Sequence, residues 1–290
     1  MWRSVRRVGR YWVDDPRLIQ GRDDVSPEGL NPGALRLQYA LEALQNVRGR
    51  VLVPGCGAGR YVRAIERARP DLWVVGGDLS RRAIREARSR DAIGHYLVLD
   101  ACRLPFRSGA FDAVVFLDVL EHVPEPAAMI QECVRVLRAG GILHAFVPLE
   151  AQPGTLYALL RASERWPIHR WKRDHVGHIQ RFSDLDILRL LGRAGLEIRT
   201  LNYSFHLIGQ LHDVLDYWQR ERAAGGPGTL PVWLVRLLTR LVFVVTWRAA
   251  ALEDRLHRGR LLAAGVHVTA YKPSDTEQAA VAPRFAALVR

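Results

Sequence analysis

Asp78, Asp100 and Asp118 each close a short apolar run, and all three follow a turn with glycine at alternate positions, Gly55, Gly57 and Gly59. Residues of these types in this order can recognise a nucleoside. A carboxylate at a strand tip accepts hydrogen bonds from both hydroxyls of one sugar, and Asp78 lies 21 residues beyond Gly57, about where an open α/β sheet presents an acid to ribose. The glycine turn leads directly into a helical pattern (Tyr61, Ile65, Ala68), which predicts free backbone N–H groups of a helix N-terminus facing the same crevice. Asp also ends strands simply because it favours turns. Three in succession after a glycine turn make that explanation the weaker one.

The elements needed to hold these residues can be read from the alternation of patterns. Strands are predicted near 50–53, 72–76, 95–99, 112–117 and 141–147, with helices near 59–68, 80–88 and 126–137. Strand–helix alternation with short connections argues for a parallel sheet covered on both faces. Gly140-Gly141 reads as a helix stop, and Pro32 opens a helix that carries Leu35, Tyr39 and Leu44. Further on, Pro153-Gly154 begins a helix through Ser163, and Ser183 with Asp186 resembles a capping box. Strands are expected at Leu196 to Leu201 and Gly265 to Tyr271.

Taken in order, VLVPGCGAGR, GGDLS, LDACRLPF, FDAVVFLDVLEHVPEP and RVLRAGGILHAFVPLE resemble the class I S-adenosylmethionine-dependent methyltransferases. The likeness is closest to the small-molecule branch with D-x-x-x-L-P-F and L-E-H signatures. It covers roughly residues 50 to 150, with a weaker echo in GHIQRFSDLDILRLLGRAGLEI. It implies a Rossmann-like, doubly wound, mostly parallel seven-stranded α/β sheet with a helical insertion before the last strand. It also implies S-adenosyl-L-methionine as cofactor and S-adenosyl-L-homocysteine as product. Carried over residue by residue, Gly55, Gly57 and Gly59 turn against the methionine and ribose part, Asp78 holds the ribose hydroxyls and Leu79 lies beside adenine. Asp100 and the Ala101 backbone read the adenine amino edge, and Leu117 and Asp118 line the strand end near the methyl group. One departure stands out: the family usually has an acid where this chain has Val53. A non-catalytic methyltransferase-like binding protein is therefore a second reading. A nicotinamide-dependent oxidoreductase is a minor third, because Arg60 occupies the sixth position of the dinucleotide motif, where glycine permits close helix–strand packing.

The 290 residues are 49% hydrophobic, enough for a substantial core, and carry a formal charge of +12. Lys172 and Lys272 are the only lysines, so the charge is a scatter of arginines with no recognisable nucleic-acid module, and no nucleic-acid partner is expected. Cys56, Cys102 and Cys133 have no C-x-x-C spacing, which argues against disulfide scaffolding and a cysteine zinc site and favours a cytoplasmic location. The basic N-terminus lacks the apolar core of a signal peptide. The expected organisation is an arm and helix over 1–48, a methyltransferase core over 49–203 plus 263–273, a helical insertion over 204–262 and a mobile tail over 274–290. Tyr11 and Trp12 in the arm are candidates for a lid.

The insertion holds two predicted helices, Leu207 to Arg222 and Leu230 to about Arg258, separated by a Gly/Pro breaker. Arg236, Arg240, Arg248 and Arg255 share one third of the second helical wheel, and the rest, with Trp233, Phe243 and Trp247, is largely apolar. Such a helix caps a pocket, forms a homodimer contact, or lies on a membrane surface through residues 230–258; it is too interrupted to span one. The acceptor is expected to be a small or lipid-like molecule, with transfer to oxygen favoured. A hydroxyl acceptor is helped by a general base. His122 is the first candidate, with His178 and His175 next. A metal on His175 and His178 beside Asp174 is rejected, since no third ligand is evident in the sequence.

Overall fold

The computed structural model describes residues 7–8, 11–12, 14–15, 19–225 and 231–274, with positions 7, 8, 11, 12 and 241 described by backbone alone. A short hairpin of β1 (Arg7–Val8) and β2 (Tyr11–Trp12) precedes α1 (Pro32–Leu44), whose N-cap Asn31 accepts from the Ala34 amide. The alternating core follows: β3 (Gly49–Pro54), α2 (Arg60–Ala68), β4 (Leu72–Asp78), α3 (Arg81–Arg90), β5 (His95–Val98), β6 (Phe111–Leu117), α4 (Pro126–Val136) and β7 (Leu137–Pro148). Next come α5 (Leu156–Leu160), α6 (Ile168–Val176), α7 (Asp184–Arg193) and β8 (Glu197–Ser204). The helices α8 (Leu207–Ala223) and α9 (Val232–Leu256) then lead to β9 (Gly265–Tyr271). The lid expected of the Tyr11 and Trp12 side chains and the tail beyond residue 274 lie outside the described residues.

The large sheet has seven strands in the order β5-β4-β3-β6-β7-β9-β8, and β9 alone runs against its neighbours. The chain winds outward from β3 through β4 to β5, then returns to β6 on the other side of β3. Helices on either side of that reversal diverge, which leaves a crevice at the carboxyl ends of β3 and β6. Apolar residues bury on both sheet faces. One cluster joins Leu52, Val114, Phe116 and Leu143 to α4 and α7, while the other joins Val51, Val53, Val74 and Val115 to α1, α2 and α3. Strands buried on both faces account for the near-continuous apolar runs.

Three local readings are refined. The helix before β7 ends at Val136, and Gly140 (φ +77) sits inside an irregular start of β7, where its amide donates to the Lys272 carbonyl at 2.8 Å. The helix expected from residue 153 is one short turn-rich element, α5, capped by Thr155. The segment WPIHRWKRDHV that follows it forms α6, because Ile168 and Trp171 bury one turn apart against α8. The capping box at Ser183 and Asp186 forms as read.

Candidate active site

Four strand tips converge on one crevice of about 210 Å³. Its wall includes Gly55 and Gly57 from the β3–α2 turn, Asp78 and Leu79 after β4, Asp100 and Ala101 after β5, and Asp118 after β6. Of the residues singled out from sequence, Leu117 faces a second, adjoining cavity, and Gly59 faces neither. Gly59 (φ +85) is the N-cap of α2, and a side chain there would fall 2.8 Å from the Tyr96 hydroxyl, so its role is to let α2 pack on the sheet.

The backbone amides of the glycine turn are not free. Cys56 donates to the Gly77 carbonyl (2.9 Å), Gly57 to Asp78 Oδ2 (2.8 Å), Ala58 to the Gln20 carbonyl (2.8 Å) and Gly59 to the Cys56 carbonyl (3.0 Å). This corrects the expectation that they point at a ligand. They are used to lock the turn to β4 and to the arm. What the glycines contribute is clearance: a Cβ on Gly57 (φ +55) would sit 2.5 Å from the Gln20 carbonyl oxygen.

Asp78 is held by two amides, Gly57 on Oδ2 and Ser80 on Oδ1, each at 2.8 Å. Burial pushes its pKa up, and the two amides oppose that shift. Asp100 Oδ1 accepts from the Cys102 amide at 2.9 Å. Asp118 has φ +56, a left-handed conformation that Asp tolerates better than most residues, and pairs with Arg36 (Nε to Oδ2 2.9 Å, Nη2 to Oδ1 3.1 Å). Burial works against the Arg36 charge, but Asp118 beside it more than offsets this and its pKa is raised. Val53, at the position of the missing family acid, is buried in the core, 3% exposed.

Sequence reading missed the arm residues Ile19 and Gln20, which line the crevice, and Arg36. The arm is fastened by Arg22–Glu86 (2.7 Å) and Arg63–Asp24 (2.8 Å), pairs whose partners lie far apart in the chain and leave no local pattern. Arg36 sits among the apolar residues of α1, and a lone arginine in that setting was the one available signal.

The second cavity, about 580 Å³, shares Gln20, Gly55, Gly57, Asp118, His122 and Val176 with the crevice. Its far walls come from α6, α8 and α9, with Lys172, Tyr217 and Trp247 among them, and from His178 after α6 and Phe205 before α8. Lys172 is buried, 2.9 Å from Asp213 and 3.5 Å from Glu150, and lies over the Tyr157 ring at 4.2 Å. Burial opposes its charge, but the two carboxylates reverse that effect and raise its pKa.

His122 and His178 meet edge to face at 4.9 Å. His122 Nδ1 donates to the Gly177 carbonyl (3.1 Å), so the loop-fixing contact weighed for it is present. Burial and the neighbouring His178 push its pKa down to about 3. His178 Nδ1 pairs with Glu150. His175 stands apart, its Nε2 3.0 Å from Glu221. Glu121, which sequence reading did not single out, lies between the two rings, fully buried, with its pKa raised to about 8, chiefly by burial.

Comparison with known proteins agrees with this geometry. Residues 52–145 match the family model described as a methyltransferase domain. The chain is 29% identical over 235 residues to a ubiquinone biosynthesis O-methyltransferase of Alkalilimnicola ehrlichii, covering 74% of this chain and 89% of that one. It is 38% identical over 142 residues to a ubiquinone/menaquinone biosynthesis C-methyltransferase of Desulfotalea psychrophila, covering 46% and 52%. Its fold is similar to that of Haemonchus contortus phosphoethanolamine N-methyltransferase 2, solved in complex with S-adenosyl-L-methionine, with a TM-score of 0.55, 20% identity and coverage of 83% and 52%. The glycine turn, the ordered strand-tip acids and the matched domain coincide, and the chain carries a methyltransferase domain with the fold of the S-adenosylmethionine-dependent enzymes.

Proposed function

We propose that this enzyme moves a methyl group to a hydroxyl oxygen of a small, quinone-like or lipid-like acceptor held in the second cavity. The observation that carries the reading is the shared wall: a crevice lined by strand-tip acids opens into a larger chamber with aromatic and polar walls. The long alignment with a relative named for O-methylation in ubiquinone biosynthesis supports oxygen as the acceptor atom.

S-adenosylmethionine, when bound, supplies a methyl group on a sulfonium whose departure is already favourable. The protein's task is to place the acceptor in line and keep water out. The crevice fits this cofactor. Asp78 would accept from the ribose hydroxyls, Asp100 and Ala101 would meet the adenine edge, and Leu79 and Leu99 would cover its faces. Asp118 with Arg36 offers one charge of each sign at the methionine end, which answers the absence of an acid at Val53. His122, on the wall common to both spaces, faces the junction where the acceptor would meet the methyl group.

The α8–α9 pair forms part of the chamber and also presents an outer face. Trp233 and Val245 are 67% and 68% exposed, and Leu237, Val244 and Leu252 stand beside exposed Arg236, Arg240 and Arg248. Among the described residues no helix is long and apolar enough to cross a membrane. We read this face as one that rests on an anionic bilayer, where arginines meet headgroups and the apolar side chains enter the boundary. Trp247 both lines the chamber and is 37% exposed, so a lipid-tailed acceptor would enter there.

The test is incubation with S-adenosylmethionine and a panel of phenolic, prenylated-phenolic and catechol-like compounds, with the methylated atom located by NMR. Product methylated on oxygen is expected. Protein that binds the cofactor but methylates carbon alone, or nothing in the panel, would overturn the acceptor assignment. Co-sedimentation with anionic vesicles tests the outer face. A protein that stays in the supernatant at low salt, or pairs as a dimer through α9, rejects the bilayer reading.

A further inference from the structure

Glu121 is 1% exposed, and neither of its carboxylate oxygens has a hydrogen-bond partner. A buried carboxylate left without partners is costly, and what surrounds this one does not relieve it. His122 Nε2 and His178 Nε2 both lie 3.8 Å from Glu121 Oε1, too far for a hydrogen bond. The outer partners then decide which ring nitrogens carry protons. The Gly177 carbonyl can only accept, so His122 Nδ1 carries the proton and Nε2 is bare in the neutral ring. Glu150 likewise takes the Nδ1 side of His178 and leaves its Nε2 directed inward. One carboxylate and two imidazole nitrogens thus converge, their donor atoms all within 4.8 Å of one another. A metal ion placed among them would give the buried Glu121 oxygens the partner that the surrounding protein does not supply.

We propose that Glu121, His122 and His178 form a binding site for a divalent transition-metal ion of the zinc class. Zinc–nitrogen and zinc–oxygen bonds run to about 2.0–2.2 Å, so the ligating atoms of a tetrahedral site stand roughly 3.3–3.6 Å apart; the two 3.8 Å separations from Glu121 are close to that range, and the two imidazole nitrogens, within 4.8 Å, draw together on binding. Two imidazoles and one carboxylate suit zinc, cobalt or iron(II) and not magnesium, which prefers oxygen ligands. Gly177 and Glu150 act as the outer partners that orient metal-bound histidines. Three protein ligands leave a fourth position. Because His122 borders both cavities, that position opens toward the junction of crevice and chamber.

Ion binding stands on this geometry alone; its role rests on the methyl-transfer reading. There, the ion would hold the acceptor hydroxyl and lower its pKa. The hydroxyl proton leaves to solvent, the oxygen forms its bond to the methyl carbon, and the carbon–sulfur bond breaks to give the methyl ether and S-adenosylhomocysteine. No histidine base is then required, in keeping with the His122 hydrogen bond.

The test titrates chelator-treated full-length protein with Zn²⁺ by calorimetry and with Co²⁺ by visible absorption. One ion per chain is expected, with the visible bands of four-coordinate cobalt and no comparable binding of Mg²⁺. Glu150→Gln, which alters an outer partner that also faces Lys172 and His169, should weaken binding tenfold to a hundredfold, and Glu121→Gln and His178→Asn by at least as much. S-adenosylmethionine binding is measured on each variant. Retained cofactor binding with lost Zn²⁺ binding supports the site and shows that the variant is folded. Absence of Zn²⁺ and Co²⁺ binding in the parent protein, or binding unchanged in Glu121→Gln and His178→Asn, overturns it without touching the cofactor assignment.

Discussion

Replacing Asp78 with Asn keeps the shape of the side chain and removes its charge, which makes it the sharpest probe of the proposed nucleoside site. In the parent protein both oxygens are occupied, Oδ2 by the Gly57 amide and Oδ1 by the Ser80 amide, each at 2.8 Å. Asn offers one carbonyl oxygen and one NH₂, so either the Gly57 or the Ser80 amide must face another donor. A hydrogen bond to a charged group contributes about 1.5–3 kcal/mol, and one of the pair is lost outright. Relief of the buried charge, the cause of the raised Asp78 pKa, offsets part of that loss. Binding suffers separately, because the charged acceptor for the ribose hydroxyls is gone. A further loss of about 1.5–3 kcal/mol there corresponds to roughly a ten- to hundredfold weaker affinity. Calorimetry with S-adenosylhomocysteine reads this directly. Asp112→Asn serves as control, since Asp112 binds the Arg50 amide and Arg138 and lies outside the crevice. Unchanged affinity in a folded Asp78→Asn protein would refute the ribose role.

Gly57→Ala would place a methyl group 2.5 Å from the Gln20 carbonyl at φ +55, so the arm must shift; cofactor affinity is expected to fall more than tenfold, and an unchanged value would show that the arm does not close the crevice. Lys172→Met leaves Glu150 and Asp213 facing each other without their shared cation; urea denaturation should show a loss of about 3–5 kcal/mol, and a loss under about 1 kcal/mol would mean the network is looser than its distances imply. For His206, burial disfavours the charged ring, but Asp254 at 2.7 Å and the Gly259 carbonyl reverse this and raise its pKa above the usual 6.5. Its stabilising contribution is therefore complete below about pH 6.5 and is lost as pH rises through the raised value; thermal melts across that range should decline for the parent and flatten for His206→Gln. Arg236→Glu with Arg240→Glu should abolish binding to anionic vesicles while leaving cofactor affinity intact, and vesicle binding that survives the exchange would locate the contact elsewhere.

The strand-tip crevice was legible because its parts are local. A strand, a glycine turn and a helix follow one another within a few residues around Gly57, and Asp78, Asp100 and Asp118 each end a strand of the same parallel sheet. Right-handed crossovers bring such tips to one edge whatever the intervening helices contain. The capping box at Ser183 was readable for the same reason. The turn's amides were misread because their partners are remote: Gln20 precedes Ala58 by 38 residues, and nothing near Ala58 announces it.

The order of strand tips and their acids is written into the chain, since hydrophobic period and turn chemistry act over a few residues. The company kept by Glu121, His122, His178 and Glu150 is not. His178 paired with His175 in the linear reading, and only the return of the segment after α6 beside the loop after β6 gives it a carboxylate and a second ring instead. Whether a polar side chain is solvated, paired or left bare depends on burial by distant elements, and that is settled when the layers pack.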